Sequence, residues 1–191
     1  MRKLAILFGG AALVAACQST PPPPPPPPPA PDLSNALLAP GYVAQAGSND
    51  QFEIQSGQLA LQASQNPAVR NFANMIIADH TRSTQMVLAA AQSGGLNLPP
   101  PAMLPAQQAM LDQLRSAGSG PAFDQVFQQI QIQAHQAALS LHQNYATQGD
   151  VPALRNVAAQ IVPIVQAHLQ AAQALNTAPP PPPPRRAGER G

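Results

Sequence analysis

NPAVRNFANMIIADHTRSTQMVLAAAQ, residues Asn66 to Gln92, is the stretch whose reading decides the fold. Every third or fourth position gives Val69, Ala73, Ile76, His80, Ser83, Val87 and Ala90. That is the buried stripe of a long amphipathic helix, with a histidine at its middle. Asn66 is placed to cap the first turn and Pro67 to open it, because a first turn has no use for the N–H that proline lacks. Ser93-Gly94-Gly95 then ends the pattern. Such a stripe must bury against other helices, and the chain supplies three more long ones.

Upstream, a helix is expected from Gly41 to Ser64, with a possible interruption at Gly47 and Ser48-Asn49. Its large apolar residues Phe52, Ile54, Leu59 and Leu61 choose no single face, while Glu53, Gly57 and Ala60 form a narrower stripe of small residues around one carboxylate. Downstream, Leu96 to Gly120 is a long connection with Pro99-Pro100-Pro101 and a short helical piece, Pro105 to Ser116. A third long helix follows from about Pro121 to Gln148, striped by Phe123, Phe127, Ile130, Ala134, Ala137 and Leu141. Gly149-Asp150 turns the chain, and Pro152 opens a fourth, whose stripe of Leu154, Ala158, Ile161, Val165, His168, Ala172 and Leu175 is unbroken. Tight turns make helices one and two antiparallel, and likewise three and four. The long link is free to run the length of the assembly. The expected fold is all-α: a ferritin-like four-helix bundle over residues 39–176, with a long crossover between helices two and three.

Both ends of the chain have other uses. Of 25 prolines, the runs Pro21–Pro29 and Pro179–Pro184 hold most. MRKLAILFGGAALVAAC is a basic tip and an apolar run too short to span a membrane, so residues 1–16 read as an export signal. Leu13-Val14-Ala15-Ala16-Cys17 resembles the lipobox of bacterial lipoproteins, which implies cleavage before Cys17 and its acylation, with palmitate or a similar chain. By the same resemblance, Gln18 after the Cys points to the outer membrane, facing the periplasm. The only Cys of the chain has no internal disulfide partner. Residues 17–38 then form a lipidated tether, whose nine prolines would hold a stiff rod of about 3 Å per residue. Residues 177–191, a second proline run and an arginine-rich end, read as a disordered tail.

Without the signal, seven Arg and no Lys face eight acidic residues. No basic face and no Gly-rich phosphate loop is present, which argues against nucleic acid and nucleotides as partners. The expected partners are the membrane, through the lipid anchor, and a protein or cell-wall polymer.

Four polar residues lie near the middles of the long helices: Glu53, His80, His135 and His168. In an antiparallel bundle helix midpoints share one layer, so these side chains are candidates to converge on one ion of zinc, iron or manganese. No helix carries Glu-x-x-His, and acids are too few for a second ion, which argues against a dinuclear oxidase and leaves a mononuclear site as the most to expect. His135 sits beside its stripe, with Gln131, Ala138 and His142. The favoured expectation is that no cofactor is held, His80 and His168 being core histidines bonded to Glu53, Asp79 or the carbonyl that Pro163 frees at Ala159. Asp79, about 100° around the helix from His80, is expected to matter less to a core ligand set. Adjacent residues such as Asp79 and His80 point apart, and no nucleophile elbow exists, so no hydrolytic triad follows.

Glu53, the run Val69-Arg70-Asn71-Phe72-Ala73, Met75 with Asp79-His80, His135, and Val162-Pro163 through His168-Leu169 together resemble an uncharacterised bacterial family. Its members are exported ferritin-like domains of unknown function, often described as outer-membrane proteins. The resemblance spans about Pro40 to Leu175 and implies the helical fold and an envelope location, with no settled activity. Two functions follow as expectations: a non-enzymatic envelope lipoprotein in a structural or interaction role, or a periplasmic mononuclear metal-binding protein linked to metal or oxidative stress.

Overall fold

The structure is a computed structural model and describes residues 32–175. The signal, Cys17, the tether up to residue 31 and the tail lie outside the described residues. Five helices follow in order: α1 (Ala39–Ala63), α2 (Pro67–Ser93), α3 (Pro105–Ser116), α4 (Pro121–Gln148) and α5 (Pro152–Ala174), all α-helical. Each carries a proline in its first two positions, where the ring's fixed φ suits the helix and its missing N–H leaves no gap. Asn66 caps α2 as the sequence requires, its side chain accepting from the Ala68 N–H at 2.9 Å. Among the described residues, no helix is long and apolar enough to cross a membrane.

The four long helices pack in a ring, α1 against α2, α2 against α5, α5 against α4, and α4 against α1. Cross-helix contacts fix the directions. Asp50 meets His80 while Gly57, seven residues on, lies against Ile77 and Ala73, so α1 and α2 run oppositely. Tyr42 meets His142 and Ser56 meets Gln131, which makes α1 and α4 antiparallel too. Consequently α2 and α4 run the same way, and residues 94–120 must travel the length of the molecule between them. They do so along α1: Leu104 donates to Ser48 Oγ at 2.8 Å, Gln107 to Asn49, and the Gly120 N–H to the Ala63 carbonyl at 2.9 Å. The last step needs a glycine, because Gly120 sits at φ +73.

One expectation is corrected here. Helix α1 is continuous through Gly47, Ser48 and Asn49. The reason is close packing: a side chain at Gly47 would collide with Pro101 of the crossing connection, so glycine is kept for its size at that point. The same crossing explains why α1 shows no single apolar face. With α2, α4 and the strap of residues 94–120 around it, α1 buries residues on nearly every side.

The interior divides into two apolar clusters. One, toward the start of α1, holds Tyr42, Val43, Tyr145, Leu154, Ile161 and Val165. The other holds Phe52, Phe72, Ile76, Leu111, Phe123 and Phe127. Between them lies a layer of buried polar side chains: Asp50, Glu53, Ser56, His80, Gln131, His135, His142 and His168.

Candidate metal centre

All four histidines of the chain are buried, each 3 % exposed or less. Three of them meet. His80 from α2, His135 from α4 and His168 from α5 each offer one ring nitrogen such that the three lie within 4.8 Å of one another. Their ring centroids form a nearly equilateral triangle, 5.5, 5.4 and 5.4 Å on a side. The helix stripes place them: His80 and His168 occupy positions that otherwise point apolar groups inward, at mid-helix, on adjacent antiparallel helices. His135 reaches the same layer because α4, like α1, is buried over more than one face.

The rest of each ring is already engaged. His80 Nδ1 lies 2.8 Å from Asp50 Oδ1, and Asp50 is itself held by the Thr84 hydroxyl at 3.0 Å. His168 Nε2 lies 2.9 Å from Asp79 Oδ2, and His135 Nδ1 2.9 Å from the Gln131 carbonyl. A carbonyl or carboxylate oxygen accepts, so in each case the ring N–H donates to it and the tautomer is set. The opposite nitrogens, His80 Nε2, His135 Nε2 and His168 Nδ1, are buried and without a hydrogen-bond partner. Buried polar atoms normally find partners, so three orphans in one place mark a position built to receive something. A ring nitrogen oriented by an acceptor that holds the N–H on the far side of the ring is also the usual arrangement of a metal-bound histidine.

Glu53 does not join this group. Its Oε1 lies 3.5 Å from His135 Nδ1, the nitrogen already bonded to the Gln131 carbonyl, and its Oε2 has no partner. Burial raises its pKa to about 7, against the opposing pull of a charged His80 and the Gln131 amide. Of the four candidates read from sequence, three are brought together and Glu53 stands behind one of them. His142, the remaining histidine, is satisfied by the Tyr42 hydroxyl at 3.0 Å from its Nδ1.

Two acids come out differently from the sequence reading. The stripe pattern of the sequence does not mark Asp50, yet it is the partner of His80. The signal was present: Asp50 and Glu53 are the only acids of α1 and lie three residues apart on one face. Asp79 was expected to be peripheral. The angle that turns it away from His80 turns it toward α5 and His168, so it orients a core ring from a position 39 % exposed.

Electrostatically the layer is poised. Burial lowers the pKa of His135 to about 3, helped by the charge of His80 and opposed by the Gln131 carbonyl. Burial likewise takes His168 to about 4, with Asp79 opposing. For His80 burial also acts downward, but the hydrogen bond and charge of Asp50, with Glu53 and Asp79, outweigh it, and the pKa is raised. At neutral pH His135 and His168 are therefore neutral rings, each with a lone pair opposite its N–H.

Fold and cluster together define an all-helical domain with a buried three-imidazole centre. The chain belongs to the family described as Domain of unknown function (DUF4142), which matches residues 23–175. Two solved structures share the fold. "CopM in the Cu(II)-bound form" is 22% identical, with a TM-score of 0.59, covering 71% of this chain and 93% of that one. "CopM in the Ag-bound form" is 23% identical, with a TM-score of 0.57 and the same coverage. No curated protein sequence matches the chain.

Proposed function

We propose that this protein is a non-enzymatic, envelope-located metal-binding protein that holds one ion between His80, His135 and His168. The observation that carries the reading is the set of three unpartnered buried ring nitrogens, each backed by an acceptor on the opposite side of its ring. Three imidazoles without a carboxylate in the set suit copper and zinc better than manganese, which prefers oxygen ligands. This reading departs from the sequence expectation that no cofactor is held, takes up its alternative of one zinc, iron or manganese ion, and adds copper. That CopM, with a similar fold, was solved with Cu(II) and with Ag supports including those ions in any trial. The bundle topology with its crossover is read as ferritin-like, with a mononuclear site in place of the two-metal centre that Glu-x-x-His motifs build.

The test is metal analysis of the full chain purified without a histidine tag, followed by titration with Cu(II) and Zn(II). One ion per chain is expected, with a gain of about 2.7 kcal/mol in stability at a hundredfold excess over Kd. His80→Ala and His168→Ala should each abolish both. If no added ion raises the wild-type melting temperature, the layer is a hydrogen-bonded core served by water and the structural lipoprotein role is the better reading.

The anchor is part of the same proposal. Cys17 at the end of Leu13-Val14-Ala15-Ala16 is read as lipidated, with the proline run as spacer and the outer membrane, periplasmic side, as the destination. Metabolic labelling with a fatty-acid analogue should mark the wild type and not Cys17→Ser; equal, negligible label in both removes the anchor.

A further inference from the structure

The three imidazoles are buried, so an ion must pass a wall of the bundle to reach them. We infer that it does so along the α2/α5 seam, through a crevice whose mouth is formed by Asp79 and Arg82 and whose floor is formed by His80 and His168. This rests on the metal reading above and adds the route.

The walls differ. The α1/α2 wall is closed by Gly57, where even a methyl group would meet Ile77 at 2.8 Å and the Ala73 carbonyl at 3.1 Å. On the α1/α4 side, residues 94–120 and α3 lie across α1 and α4 as a second layer. Helices α4 and α5 are joined by a tight turn and pack along their lengths. The α2/α5 seam joins helices from different hairpins. Along it runs a crevice of about 10 Å³, lined by Asp79, His80, Ser83, Met86, Ile164 and His168. That is room for about one water, or one partly dehydrated ion.

Two further features point to an ion rather than to a packing flaw. Ser83 is 7 % exposed and lines the crevice, yet its hydroxyl has no partner. A buried hydroxyl left unbonded is costly, and here it would replace part of an ion's hydration shell in passing. Asp79 supplies the second feature: it is partly exposed at the rim while one of its oxygens already accepts from His168. A cation drawn to that carboxylate is concentrated at the rim beside the His168 ring. Arg82, exposed at the same rim, opposes capture and gives the route a distinguishing sign. Pro163 removes one hydrogen bond from α5, at the turn preceding Ile164 and His168, so this wall yields with less loss than an intact helix would.

The experiment is stopped-flow uptake of Cu(II) by the full chain and its release to EDTA, compared between variants. Ser83→Leu, which fills the crevice, should slow uptake and release each about tenfold, so that their ratio moves far less than either. Ala137→Leu, in the hollow on the opposite α1/α4 side, should change neither. Arg82→Gln should quicken uptake at low salt, and the difference should vanish at high salt. If the wild type loads but Ser83→Leu loads as fast, or Ala137→Leu is the slow variant, the route is wrong and the site stands. A wild type that takes up no Cu(II) at all overturns the site and the route together.

Discussion

The two apolar clusters and the polar layer between them are built by opposite rules. In the clusters, Phe52, Phe123, Phe127, Leu111 and Leu114 are fully buried against one another, and Phe72 meets Phe127 edge-on at 6.1 Å. Even the tyrosines there are satisfied: Tyr42 and Tyr145 stack at 3.8 Å, one hydroxyl bonded to His142 and the other to Asp150. The layer leaves three ring nitrogens, a Glu53 oxygen and a Gln131 oxygen without partners. Stability resides in the clusters, and the layer gives some of it up. A core that left buried polar atoms unmet for no return would be poorer than an apolar one of the same shape, so the comparison itself points to function.

The largest effect that tests this contrast is in the second cluster. Phe127→Ala should cost about 3–5 kcal/mol in denaturant unfolding of the metal-free protein, since it removes a fully buried ring and leaves a cavity. A loss below 1 kcal/mol would mean that the helices are not held by this packing.

A smaller effect belongs to the layer and appears as pH falls. His135, with its pKa near 3, and His142 and His168, near 4, are neutral when folded at pH 5, whereas in the unfolded chain they titrate near 6.5. Below 6.5 the unfolded state therefore binds more protons, and the stability these three contribute is lost as pH falls from about 6.5 toward 4. Glu53 opposes them: its pKa is raised to about 7, so its contribution is present at low pH and lost as pH rises through 7. His80, raised, contributes fully below 6.5 and loses that contribution only as pH rises through its folded value. The three lowered histidines, each taken from 6.5 to about 4 or about 3, outweigh Glu53 and His80 and give a net fall toward acid. Melting temperatures of the metal-free protein from pH 7 to pH 4 should decline, and the triple replacement of His135, His142 and His168 by Leu should flatten the curve. A wild-type curve that is already flat would contradict the burial of neutral rings.

How much of this was legible follows the same division. Helices α2 and α5 bury one face each, so their stripes were plain in the sequence and gave His80 and His168 directly. The capping Asn66, the opening prolines and the turn at Gly149 set boundaries that the structure reproduces within a few residues. Helix α1 was the hard one. Enclosed by α2, α4 and the strap, it has no polar face to contrast with an apolar one, and periodicity loses its meaning there. Asp50 was hidden for that reason, beside a Gly-Ser-Asn run that resembles a break. The pairing of Asp79 with His168 was hidden because it depends on which neighbour lies 100° away, and a single helix cannot say.

The smallest expected effect is the sharpest test of what the layer is for. His135 is fully buried, and its only hydrogen bond is to the Gln131 carbonyl four residues back on its own helix. That carbonyl already serves the α-helical ladder, so losing the ring leaves no backbone group stranded. Its Nε2 has no partner, so an apolar side chain of similar size removes a buried orphan and adds packing against Phe72, whose ring centroid is 6.1 Å away. His135→Leu should therefore leave the metal-free protein within about 1 kcal/mol of wild type, on either side, because both members of an unmade bond need not be replaced when one was never paired. The same variant should lose the bound ion. If instead it unfolds as readily as Phe127→Ala, His135 is a structural member of the core, and the difference between layer and clusters disappears.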